Sequence, residues 1–84
     1  MNNKKTLSKI LHGNKNIRFN EMTSLVKAYG FYLSRVSGSH HIFISRQVKE
    51  IVNIQNVGGK VKPYQVKQFL MLVERYNLKM AEGD

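Results

Sequence analysis

The hydrophobic period changes twice along this chain, and few folds accept that order. Met22, Leu25, Val26 and Tyr29 recur at i, i+3, i+4 and i+7, the apolar stripe of an amphipathic helix. Between Phe31 and Gln55 the spacing shortens to runs of aromatic and branched residues broken by turn signals, which is strand patterning. Val66, Phe69, Leu70 and Val73 then restore the helical stripe. A chain of 84 residues must bury all of these faces in one core.

Local signals set the boundaries. Asn20 stands where an N-cap belongs, and Gly30 where a left-handed C-terminal cap belongs. Phe31 to Val36 reads as a strand, Ser37-Gly38 as a turn, and Ser39 to Ser45 as the strand that completes a hairpin. Arg46 to Lys49 reads as a polar connection, Glu50 to Gln55 as a third strand, and Asn56 to Lys62 as a flexible basic loop containing Gly58-Gly59. Pro63 opens the last helix, because its missing amide hydrogen would be unpaired in the first turn anyway, and Asn77 is placed to end it. Upstream, Leu7, Ile10 and Leu11 predict a short helix from near Thr6 to Gly13, followed by a linker at Asn14-Lys15-Asn16. The expected organisation is a basic N-terminal segment over 1–18, a domain over 19–78, and a frayed tail over 79–84. Helices at both ends of a three-stranded meander pack on one face of the sheet, giving a two-layer α+β domain whose other face is open. That order, with one extra short helix in front, is that of the double-stranded RNA-binding domain.

Charge narrows the partners. Lys and Arg total 14 against 5 Asp and Glu, a formal +9, which points to nucleic acid, an anionic membrane or an acidic protein. The basic residues are spread along the whole chain rather than gathered on one amphipathic helix, which argues against a membrane surface. No apolar run approaches the roughly 20 residues that a membrane span needs. The chain has no Cys, which removes disulfides, thiol nucleophiles and cysteine-ligated zinc. The N-terminus leads into no signal-like stretch, so a cytoplasmic location is expected.

Gly38-Ser39-His40-His41-Ile42-Phe43 is the segment best suited to chemistry. An imidazole exchanges protons near neutral pH, so it can deprotonate a ribose 2′-hydroxyl for attack on the adjacent phosphorus. DNA lacks that hydroxyl, so the route selects RNA. The same pair also fits a surface or half-buried structural role. Neighbouring strand residues point to opposite faces, so His40 and His41 cannot easily form one acid–base pair. Alternation alone sets His40 with Ile42 and Ile44 toward the core, and His41 with Ser39, Phe43 and Ser45 on the open face. A residue beside a turn can still reach solvent from the core side. His12, His40 and His41 show no metal-ligand spacing, and no metal or cofactor is expected. Glu50 on the next strand offers either a cross-strand contact to a histidine or a solvated rim charge. Arg35, Arg46, Lys49, Lys60, Lys62 and Lys67 surround the hairpin as candidate phosphate contacts. Tyr32, Phe43 and Tyr64 are candidates for stacking on unpaired bases, while Tyr29, Phe31 and Phe69 suit the core.

These residues resemble a known family. Gly-Ser-His-His-Ile-Phe at 38–43, following Leu25-Val26-Lys27-Ala28-Tyr29-Gly30-Phe31, looks like the HicA family of bacterial toxins, small mRNA interferases of type II toxin–antitoxin pairs. Gly59-Lys60-Val61-Lys62-Pro63-Tyr64-Gln65-Val66-Lys67-Gln68 is similar to the opening of the last helix in a subgroup that also carries an extra N-terminal segment. The resemblance runs over about residues 6–78. It implies the double-stranded-RNA-binding-like fold and an endoribonuclease that cuts mRNA without a metal. It also implies a cognate HicB-like antitoxin that blocks the active surface. The family's catalytic histidine maps to His40, with His41 second because some members place it one position later. Ser39 and Gly38 would fix the turn. The segment Ser45-Arg46-Gln47-Val48-Lys49 departs from the family in lacking a proline, and no residue is implied as general acid, leaving a lysine or water. A homodimer through the open face is a further expectation. A non-catalytic RNA-binding module of the same fold is the alternative reading. A DNA-binding last helix is a third, although that helix offers only Lys67 and Arg75 besides Lys62 at its start.

Overall fold

Helix α2 runs from Phe19 to Ala28 and buries Met22, Leu25 and Val26, three residues of the predicted stripe. Its first turn is closed by Glu21, whose Oε1 accepts from the Arg18 amide at 3.1 Å. The N-cap is therefore Arg18, and Asn20 lies inside the first turn rather than capping it. Gly30 follows the helix at φ +95°, the left-handed value that a Cβ opposes. This computed structural model describes residues 2–81.

Three strands follow: β1 (Tyr32–Ser37), β2 (His40–Ser45) and β3 (Val48–Gln55), antiparallel in the order β1-β2-β3. Gly38 and Ser39 form the first turn, one residue later than expected, with Gly38 at φ +59°. The second turn is only Arg46-Gln47. It carries no Gly, Asn or Pro, so the polar run over Arg46 to Lys49 marked a connection but not how short it is. Ser45 Oγ holds it by accepting from the Gln47 amide at 3.2 Å. Strand β3 consequently begins at Val48, inside the segment expected to be a connection. The register slips at Ser34 and again around Ile44, where the ladder is locally interrupted.

Helix α3 spans Pro63–Arg75 and packs beside α2 on one face of the sheet. Phe69 sits at the centre, meeting Tyr29 edge-on at 5.5 Å and Phe31 at 5.7 Å between ring centroids. Phe43, Val52 and Ile54 complete this layer from the sheet. The fold is two-layered α+β in the helix, three strands, helix order of the double-stranded RNA-binding domain, with one more helix in front. That helix, α1, spans Asn3–Leu11, starts earlier than Thr6 and is capped by Asn2 Oδ1 accepting from the Lys5 amide at 3.1 Å.

Two segments expected to be loose are tied down. Residues 17–19 and 59–61 run antiparallel, with the Phe19 amide donating to Gly59 O at 2.8 Å and the Val61 amide to Ile17 O at 3.1 Å. Gly58 and Gly59 both take positive φ between Val57 and Lys60, as a type I′ turn requires. After Asn77, at φ +51°, Leu78 is buried and the Ala81 amide donates to Ala28 O at 2.8 Å. The tail thus folds back at least to Ala81, and the rest of it lies outside the described residues.

Candidate functional site

The site is built on the Gly38-Ser39 turn, which three interactions hold. Ser39 O accepts from the Asn56 amide at 2.9 Å, and Ser39 Oγ accepts from Gln55 Nε2 at 3.1 Å. The Gln55 amide in turn donates to Gln65 Oε1 at 2.8 Å, and Gln65 is a buried residue of α3. A chain of polar contacts therefore links the turn to the last helix, and a rigid support of this kind is what positions a reacting side chain.

The two histidines part at this turn. His41 pairs with Ile54 and lies in the row of Phe43 and Val52, the face that the helices cover. Its ring lies 4.6 Å from the Phe19 ring of α2, and its Nδ1 donates to Ser39 O at 3.2 Å. His40 pairs with Ser37 and Gln55 in the row of Ile42, on the open face. The expectation from alternation was the reverse. It failed because Ile42, at 7% exposed, is buried on the open side, while Phe43, at 1%, is the residue that enters the core. Both positions read as apolar, and only the larger ring marks the covered face.

His40 Nδ1 lies 3.2 Å from Asn53 Oδ1. A carboxamide oxygen only accepts, so Nδ1 carries the hydrogen and the lone pair is left on Nε2. That nitrogen makes no hydrogen bond among the described residues. Asn53 is a residue that sequence reasoning missed. Its alternation with Val52 and Ile54 puts it on the open face, but its partner depends on the register.

The basic residues divide. Arg35 lies opposite Ile42 on the face of His40, and Lys60 lies in the turn beside Asn56. Lys62 caps α3 with its Nζ 6.0 Å from the Tyr64 ring centroid, and Lys67 follows on the same helix. Arg46 and Lys49 lie around the far end of β2, whose Ser45 is about 17 Å along the strand from His40 at ~3.3 Å per residue. Glu50 contacts no histidine: it accepts from Arg75 Nη1 at 2.7 Å and from the Tyr76 hydroxyl at 2.5 Å, pinning the end of α3. Of the candidate stacking rings, Phe43 is buried in the core, while Tyr32 and Tyr64 are exposed. No helix among the described residues is long and apolar enough to cross a membrane.

The model of a family described as the HicA toxin of bacterial toxin–antitoxin pairs matches residues 19–74, α2 through nearly all of α3. No curated protein matches the chain, and no solved structure does.

Proposed function

The chain belongs to the HicA toxin family, and from that premise we propose that it is an endoribonuclease, independent of metal ions, that arrests translation and growth by cutting mRNA. The observation that carries this reading is the imidazole of His40, held through Nδ1 by Asn53 with Nε2 free on the open face. Nε2 takes the proton of a ribose 2′-hydroxyl. The 2′-oxygen forms a bond to phosphorus as the bond to the 5′-oxygen breaks, leaving a 2′,3′-cyclic phosphate. The departing oxygen takes a proton from a lysine or from water. Arg35, on the same face, is a candidate to hold the phosphate, with Ser39, Lys60 and Lys62 around the turn. Arg46, Lys49 and Lys67 would meet the strand farther along.

Family membership gives the chain a cognate antitoxin as partner. A HicB-like antitoxin with an acidic surface laid over His40 would both complement the +9 charge and close the site.

The test is cleavage of a defined single-stranded RNA in EDTA by the intact chain, His40→Ala and His41→Ala. His40→Ala is expected to lose at least about a hundredfold, the scale of a general base. His41→Ala is expected to retain cleavage to the extent that it stays folded, which its thermal transition checks. Loss of the activity in His41→Ala alone, with its thermal transition unchanged, would transfer the role to His41. An intact chain that binds RNA but never cuts it would leave the non-catalytic RNA-binding module as the better reading.

A further inference from the structure

A cleft of about 470 Å³ opens between α1, the start of α2 and the turn that follows β3. Its walls are Lys9 from α1, Arg18, Phe19 and Asn20 from the start of α2, and Asn56 and Gly59 from the bridging turn. Two contacts join it to the candidate catalytic turn. The Asn56 amide is bonded to Ser39 O, and the Phe19 ring lies against His41.

We propose that this cleft holds a nucleotide flanking the one cut at His40, with the RNA strand passing round the Gly38-Ser39 turn from the open face, and selects its base. The inference rests on the ribonuclease reading and adds a specificity site to it. The lining carries what an unpaired nucleotide requires. Phe19, half-buried, offers an apolar wall for a base. Asn20 is an exposed carboxamide, which both donates and accepts and so can read a base edge, and Asn56, whose Oδ1 accepts from the Gly59 amide at 2.8 Å, keeps its NH2 to donate. Asn20 makes no side-chain hydrogen bond among the described residues, so it is free to do so. Arg18 is exposed, forms no ion pair among the described residues, and can meet a flanking phosphate.

Electrostatics permit an anion here despite Glu21 in the wall. Glu21 Oε2 is paired with Lys9 Nζ at 2.8 Å, and Oε1 accepts from the Arg18 amide at 3.1 Å. Both carboxylate oxygens are engaged and the charge is neutralised by Lys9, which leaves the cleft positive through Arg18. Lys9 lies outside the residues that match the family, 19–74. One wall is thus supplied by the segment preceding the shared domain, while Asn20 and Asn56, the carboxamides that face a base, lie within it.

The probe is a set of fluorescein-labelled single-stranded RNA decamers of A, of C and of U, bound in EDTA to the His40→Ala chain and followed by anisotropy. The three are expected to differ, and adding Asn20→Ala is expected to bring their affinities together. Adding Arg18→Gln should instead weaken all three alike, by about three- to tenfold, as loss of a phosphate contact does. Alanine is a good helix former at an exposed helical position, and an unchanged thermal transition verifies that each variant is folded. If Asn20→Ala preserves the ranking, or Arg18→Gln leaves all three affinities unchanged, the cleft is not a nucleotide site. The ribonuclease reading fails separately, if the chain with His40 intact binds these RNAs but cuts none.

Discussion

At the scale of single residues, one hydrogen bond decides which nitrogen of His40 faces solvent. Asn53 Oδ1 fixes the hydrogen on Nδ1 and leaves the lone pair on Nε2. In Asn53→Ala that preference is removed and part of the population shifts to the other tautomer. Turnover is expected to fall about tenfold with KM nearly unchanged, since the geometry of the turn persists. Nitrogen NMR of the imidazole reads the tautomer directly. Retention of the Nδ1–H form in Asn53→Ala would remove Asn53 from the mechanism. His41 shows the opposite use of the same side chain. It is packed on Phe19 and bonded to a carbonyl, contacts that tie it to α2 and the turn.

Among the elements, the link between α3 and the turn matters most for the site. Gln65 is buried in an otherwise apolar helix face because it satisfies the Gln55 amide at the end of β3. Gln65→Leu keeps the volume and strands that amide. The cost is expected to be about 1–3 kcal/mol, read from denaturant unfolding. Gln55 is then free to move from Ser39, so cleavage should suffer more than stability alone accounts for. A variant as stable and as active as the parent would show that the link is incidental. The edge strand β1 presents Tyr32, Leu33 and Val36 to solvent, so its apolar residues, although spaced as a strand, do not mark a core.

For the molecule as a whole, the scarce carboxylates act as tethers. The ammonium of Lys9 holds the carboxyl of Glu21 below its ordinary range, and the Tyr76 hydroxyl does the same for Glu50. A depressed folded-state value means that the unfolded chain takes up the proton first as pH falls. The stability from these pairs is therefore present above the ordinary carboxylate range and lost as pH drops through the depressed values. Between about pH 5 and about pH 3 the thermal midpoint should fall, and it should fall less steeply in the Glu21→Gln, Glu50→Gln double variant. Equal slopes would show that neither tether survives in solution. Much of this architecture was legible from the chain alone. Apolar period, the proline at 63 and the caps at Gly30 and Asn77 are local, so they announced two main helices around strands without knowledge of what packs where. The shortness of the connection at Arg46-Gln47, the bridge from residues 17–19 to 59–61 and the returning tail were not legible, because each depends on contacts between segments distant in sequence or on one side-chain bond. The candidate site divides in the same way. The motif around His40 could be read as a string of residues. Its face, its Asn53 partner and its cleft could not, because alternation assigns two sides to a strand without naming the covered one. That choice was made by Phe43 entering the core between α2 and α3, and it turned His40 outward.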